Sequence, residues 1–431
     1  MTALKAWPNA VCHVTMCAMT DGIGIIGAGV AGLHLGLYLQ QHGVPHTIYS
    51  DKSAEQVARG RMLNTVAHHN TTVKREQALG VDHWDLREYG YFCHHHYIGP
   101  TPETPELRFP GDFEAPSRAI DYRVYLPKLI EDYTSRGGDF RVQPSVGPDD
   151  LAKATEGHDL VVVSTGKAGL SSMFPVRRDG MPFEAPARLL CGGLYHGITY
   201  SDPKGVTMSV VPGHGEVLEI PMYSRDGFVT VLLFENVPGG DTEVLAHANY
   251  EEDPKAFNDL VLDKLKTHHP AIFERVDHAS FGLTGPEDVV QGAIRPTMRE
   301  DYAELPDGRF AIAVGDAHNV VDPVIGQGAN SASYSAYTLG EAITEDPNFD
   351  ERFCRTYAAR RADRVNAIFD WTNLMIGLPP APHLLQVLGS MSASRPLADE
   401  FTNNFNYPER QWDNLATPAR AQAFLARHGL G

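Results

Sequence analysis

The chain has 431 residues, 42% of them hydrophobic, and carries 54 acidic against 36 basic side chains, a formal net charge of −18. There is apolar material for a large core, and the acidic balance disfavours nucleic acid and anionic membranes as partners. No stretch approaches the roughly 20 apolar residues that cross a bilayer, and the five cysteines (Cys12, Cys17, Cys93, Cys191 and Cys354) form neither a disulfide framework nor a zinc pattern, so a reducing cytoplasm is the expected setting.

Residues 1–18 hold one cation, Lys5, an early Pro8 and no apolar run, which is not a secretory signal. They are expected to form a disordered extension ahead of Met19. Ile23 to Ile26 reads as a short buried parallel strand. A glycine turn follows, then a helix from Val30 to His42 with Leu33 and Leu37 at helical spacing, closed by Gly43. Residues 46–50 form a second strand, completing a βαβ unit. A further helix is expected over Tyr122–Arg136 and a buried strand over Asp159–Ser164. From about 189 to 236 the pattern changes to strands over 205–211, 216–222 and 227–234, separated by Pro-Gly-His-Gly and Ser-Arg-Asp-Gly turns, which predicts an antiparallel sheet. Ala248–His268 reads as largely helical, Arg309–Val314 as a strand, and a long helix should begin near Gly328. The chain beyond about 350 reads as helices broken by prolines.

Gly27-Ala28-Gly29-Val30-Ala31-Gly32 is a Gly-x-Gly-x-x-Gly motif between a strand and a helix. The first glycine makes the turn, the second lets backbone approach a pyrophosphate, and the third lets helix and strand pack closely. The helix N-terminus then faces the phosphate charge. Ser50 and Asp51 end the second strand, where a ribose-binding acid is expected. Arg61, Arg118 and Arg123 are candidate contacts to the phosphates or the adenine. A second motif, Gly315-Asp316 followed by Asp322-Pro323-Val324-Ile325-Gly326-Gln327-Gly328-Ala329-Asn330, is similar to that of FAD-dependent hydroxylases. A carboxylate after a strand can accept from a ribityl hydroxyl. Glycines opening a helix present bare N–H groups to the flavin edge that is negative when reduced, with Asn330 helping to hold that edge.

His94-His95-His96, with His68, His69 and His318, raises the question of a metal. Only His94 and His96 share a face of a strand, and no carboxylate spacing completes a facial triad, so no metal site is expected.

Five segments resemble the epoxidase component of the two-component, FAD-dependent bacterial styrene/indole monooxygenases: Arg61–Asn70, Tyr89–Tyr97, Ala115–Arg123, the GD…DPVIGQGAN segment and Phe401–Trp412. The likeness runs from about Met19 to about residue 420. It implies an α/β fold with a Rossmann-like FAD-binding domain of the aromatic-hydroxylase type, an antiparallel-sheet substrate domain and a helical C-terminus. The expected segments are 19–172 plus 290–345 for FAD, with pocket segments at about 62–114, then 173–289 for substrate and 346–431 for the helical region. It further implies an NADH-dependent flavin reductase as partner, O2 as cosubstrate, and a small aromatic alkene epoxidised by a peroxide formed at flavin C4a. It allows a homodimer. No second Gly-x-Gly-x-x-Gly follows another strand. Asn64, Val66, His68, Tyr91, His94 and Ser117 match six positions characteristic of styrene-type members. With the cofactor carrying the chemistry, the chain needs positioning residues and a dry pocket. Leu63, Val66, Tyr91, His94 and Pro323 are expected to wall it, and Asn64 to hydrogen-bond the flavin or its peroxide. Rival readings are an indole-selective oxygenase, a flavin-dependent dehydrogenase and a non-enzymatic flavin carrier.

Overall fold

The computed structural model describes residues 22–64, 66–101, 105–167 and 169–430; the expected extension, Met19, Cys12 and Cys17 lie outside them. Two sheets organise the chain. The first has six strands in the order Tyr302–Glu304, Phe310–Ala313, Leu160–Val163, Ile23–Ile26, His46–Ser50 and Asp139–Val142. All its pairings are parallel except the antiparallel edge strand Tyr302–Glu304. Successive strands run one way from Ile23–Ile26 and then restart on its other side at Leu160–Val163. The carboxyl end of the first strand is therefore a topological switch point, where open α/β sheets bind ligands.

The helix Val30–Gln41 is buried from Val30 to Tyr38 and on through Leu39, because it lies between this sheet and the helix Gly328–Glu345. Two small residues permit the close approach. A Cβ on Gly36 would stand 2.4 Å from Ile48, and one on Gly340 2.4 Å from Tyr38. Gly43, at φ +67°, ends the helix as expected.

The second sheet has eight strands. Its main path runs Gly282–Leu283, Leu189–His196, Gly227–Asn236, Gly215–Ser224, Gly205–Val211, Gly90–Ile98, Leu107–Arg118, with Val289–Ala293 also pairing to Leu189–His196. The sheet cuts across the expected segments. Gly90–Ile98 and Leu107–Arg118, grouped with the cofactor domain by position, hydrogen-bond into the substrate-side sheet, Gly90–Ile98 in parallel with Gly205–Val211. The helix expected over 248–268 begins only at Pro254, where the Asp253 carboxylate caps the Ala256 amide and proline occupies the first turn. Beyond residue 350, prolines open the helices Pro382–Met391, Arg395–Asn403, Pro408–Leu415 and Pro418–Arg427. Arg395–Asn403 lies so tightly on Leu107–Arg118 that a Cβ on Gly111 would meet the Ala398 carbonyl at 2.3 Å.

Candidate cofactor and substrate site

The glycine turn is built as its spacing predicts. Gly27 has φ +112°, a region closed to side chains, and its amide donates to the Tyr49 carbonyl at 2.8 Å. A Cβ on Gly32 would strike the Gly27 carbonyl at 2.0 Å, whereas one on Gly29 would meet nothing within 4 Å. Gly29 caps the helix with no side-chain hydrogen bond, so the first-turn amides stay free for an anion. Ala31 is buried behind the turn, Ser50 bonds the Lys52 carbonyl, and Asp51 is exposed at the strand end.

Two of the three arginines are corrections. Arg118 is fully enclosed, its guanidinium bonded to Glu76, Asp82 and the Trp84 carbonyl. Arg123 is equally enclosed between Asp121 and Asp288. A buried guanidinium whose charge is already matched by carboxylates is a structural pin and cannot turn to a phosphate. Arg61 is exposed, but bonds Glu251 at 3.1 Å and the Pro286 carbonyl at 2.8 Å.

At the second motif, Gly315 (φ +60°) turns the chain and leaves the Asp316 carboxylate solvent-accessible on a floor largely enclosed by protein. That enclosure pushes its pKa up, opposed by Lys167. Asp322 caps the short turn Pro323–Ile325 through the Val324 amide at 3.1 Å, and Gly326 follows at φ +59°. The helix then starts at Gly328, where a Cβ would meet nothing within 4 Å; Ala329 and Pro323 are half-buried. These open helix-start amides, facing outward from glycines, fit a flavin edge.

Asn330 departs from expectation. Its side chain is fully buried and all four hydrogen-bonding capacities are used within the chain. It donates to the Ala67 carbonyl at 2.8 Å and the Gly326 carbonyl at 2.7 Å. It accepts from the His69 amide at 3.0 Å and the Thr72 hydroxyl at 2.7 Å. Its side chain positions the turn and has no hydrogen-bonding group left over for a cofactor. The Gln327 side chain is likewise turned inward, donating to the Phe405 carbonyl at 2.7 Å.

Aromatic rings pack together in the buried core beside this turn, and this cluster is the candidate substrate chamber. His94 meets Phe405 edge-on at 4.5 Å and Phe113 at 4.7 Å, and Trp371 meets Phe405 at 4.9 Å. Tyr91 lies near Phe113, and is the cross-strand neighbour of Ser117. Buried polar atoms with little or no partnering lie here: His94 Nδ1, Trp371 Nε1 and Gln327 Oε1 have none, the Tyr91 and Ser117 hydroxyls face each other, and His69 has only the Ile325 backbone. Orphaned polar atoms on an apolar wall are what a ligand site presents. Burial holds His94 well below the ordinary histidine range and His69 at about 3, so both are neutral and suit an uncharged ligand. Val66 is buried; Leu63, 49% exposed, and Asn64 face outward at the rim. His95 and His96 are spoken for by the Pro203 carbonyl and Thr402.

His68 points away from the chamber. Its Nδ1 lies 2.6 Å from Glu76, which also accepts from Tyr125, and Tyr125 in turn bonds His34. Burial raises the Glu76 pKa, but His68 and Arg118 overcome it and hold it at about 2. Behind the Pro323 turn lies a second buried cluster. Glu216 and Glu235 are directly opposite on neighbouring strands, and Arg188 reaches Glu216 at 2.7 Å. Burial, reinforced by Asp322, pushes the Glu235 pKa well above the ordinary carboxylate range.

Phe113, Trp371 and Phe405 were missed as wall residues. The one usable signal was the Phe401–Trp412 segment, which no generic flavoprotein role explains.

Two curated proteins match nearly end to end, both "Styrene monooxygenase StyA": one from Pseudomonas sp, 48% identical over 93% of this chain and 97% of its own, and one from Pseudomonas fluorescens, 47% identical with the same coverage. The chain belongs to the styrene monooxygenase StyA family. The family model described as "Styrene monooxygenase A putative substrate binding domain" matches residues 166–275, which contain four strands of the second sheet. Among solved structures, the flavin-dependent brominase Bmp2 shares the fold, with TM-score 0.67 at 15% identity, covering 95% of this chain and 99% of that one. The family member described here is an FAD-dependent monooxygenase that uses O2, and its glycine turns, free helix-start amides and open Asp316 fit that cofactor. Among the described residues no helix is long and apolar enough to cross a membrane.

Proposed function

We propose that this monooxygenase receives reduced FAD from a separate NADH-dependent reductase and adds one oxygen atom of O2 across the vinyl double bond of styrene or a related aryl alkene. The products are the epoxide, water and oxidised FAD. The observation that carries the reading is the cluster of Tyr91, His94, Phe113, Trp371 and Phe405 beside the Asp322–Asn330 turn, apolar in bulk and tipped with neutral polar atoms, of which His94 Nδ1 and Trp371 Nε1 have no partner. When bound, reduced FAD activates O2 and supplies the oxygen atom. The chain's residues hold and orient. The Gly27–Gly32 turn binds the pyrophosphate, and Asn330 fixes the turn at the flavin edge against residues 67–69. Phe113, Phe405 and Val66 exclude water from the alkene. Neutral His94 and the Tyr91 hydroxyl offer hydrogen bonds without placing a charge against an apolar substrate. Arg61, Leu63 and Asn64, exposed on either side of the buried Met62, border the entrance.

The test mixes the protein anaerobically with chemically reduced FAD, then adds 18O2 with and without styrene. Labelled styrene oxide, with a matching fall in H2O2, is the expected result. Reoxidation that yields only H2O2 in both cases overturns the reading. Faster turnover of indole than of styrene would reassign the substrate, since a hydroxyl of the Tyr91–Ser117 pair has a lone pair left to accept an indole N–H.

A further inference from the structure

A second cavity, of about 290 Å³, opens between the helices Asn70–Ala78 and Gly328–Glu345, lined by Lys74, Arg75, Tyr334, Tyr337, Thr338 and Glu341. Arg75 is its unusual member. Its Nη1 donates to two neutral hydroxyls, Thr72 at 3.3 Å and Ser333 at 3.4 Å, and no carboxylate among the described residues comes within ion-pair distance of it. A second guanidinium, Arg364, stands over the same Tyr334 ring at 5.2 Å, against 5.3 Å for Arg75. Arg364 is matched by Glu409 at 3.1 Å; Arg75 is not matched. Burial, with the repulsion of Arg364, lowers the Arg75 pKa to about 10. A half-buried cation left without a counter-ion is costly, and in a chain of net charge −18 the lack of an acidic partner marks a place kept for a ligand.

We propose that this cavity binds a small aromatic carboxylate, with Arg75 and Lys74 meeting the carboxylate and Tyr334 and Tyr337 meeting the ring. The charge count selects a monoanion: two cations face one acid, Glu341. The rings are fixed in advance, Tyr337 edge-on to Tyr38 at 4.8 Å and Tyr334 by the Arg75 and Arg364 guanidiniums at 5.3 and 5.2 Å from its centroid. The volume stands at the lower end of small-molecule sites, which suits a single ring. The guanidinium that meets the ligand also bonds Thr72, whose hydroxyl donates to Asn330, so the cavity is two hydrogen bonds from the residue that positions the flavin turn.

The test is calorimetric titration of the full chain, with and without FAD, using benzoate, benzamide and inorganic phosphate. Benzoate should bind once per chain in both forms, and benzamide not at all. Arg75→Gln should weaken benzoate by roughly tenfold or more, the worth of a charge-assisted pair, and Lys74→Gln by a smaller factor. Lys74 is exposed, so its variant keeps the test decisive if Arg75→Gln does not fold. Absence of benzoate binding overturns the proposal. So does equal binding by the variants, displacement of benzoate by styrene, or tighter binding of phosphate than benzoate.

Discussion

The side-chain amide of Asn330 and the carbonyl of Ala67, 263 residues apart, are joined by a 2.8 Å hydrogen bond. The same amide group holds Gly326, and its oxygen takes the His69 amide and the Thr72 hydroxyl. Asn330→Ala strands four buried partners. Unfolding in urea should show a loss of about 3 kcal/mol, and FAD titration a weaker complex. An unchanged midpoint would remove Asn330 from its positioning role.

Gly29 and Gly32 separate binding from folding. A methyl at Gly29 enters open space at an ordinary φ of −79°, so Gly29→Ala should keep its melting temperature while losing roughly tenfold or more in FAD affinity. A methyl at Gly32 collides with the Gly27 carbonyl, so Gly32→Ala should lose stability as well. Equal behaviour of the two variants in a thermal melt would contradict this division.

Tyr91→Phe removes a buried hydroxyl whose one partner within the chain is Ser117. The expected loss of stability is about 1 kcal/mol or less. If the hydroxyl serves the bound reactants, the share of consumed O2 recovered as epoxide falls and the share recovered as H2O2 rises. An unaltered ratio makes Tyr91 a plain wall.

Both glycine turns could be read from the chain, because each is local: a few glycines fix a turn, and the turn fixes the helix that follows. Gly27–Gly32 and Gly326–Gly328 needed no partner from elsewhere. The arginines could not be read this way. Whether Arg118 reaches a phosphate or a carboxylate depends on Glu76 and Asp82, which only the folded packing brings to it. Gly90–Ile98 was misgrouped for the same reason, since its parallel neighbour Gly205–Val211 lies more than a hundred residues on. The aromatic chamber draws Tyr91, Phe113, Trp371 and Phe405 from four separate elements, and no spacing rule joins them.

Glu76 should give the stability a distinctive acid limb. Its carboxyl is held at about 2, below the ordinary 4.5, so the unfolded chain takes up the proton first as pH falls. The stabilisation is complete above about pH 4.5 and drains away as pH drops through about 2, a loss of about 3 kcal/mol. In Glu76→Gln that limb should be shallower, and the neutral-pH stability lower, because Arg118 keeps only Asp82. Urea midpoints of both proteins at pH 7, 5 and 3 would reveal it, and parallel acid limbs would refute it.

The link from Gln327 to the Phe405 carbonyl, with the Asn406 side chain accepting from the Thr71 amide, bears on how the protein is made. As the chain leaves the ribosome, the six-stranded sheet and both glycine turns are complete before residue 350. The chamber is not, because one of its walls is still to be synthesised. A nascent or truncated chain ending before residue 400 would therefore hold a cofactor cradle beside an uncovered apolar face, a form prone to aggregate and unable to shield the oxygen chemistry from water.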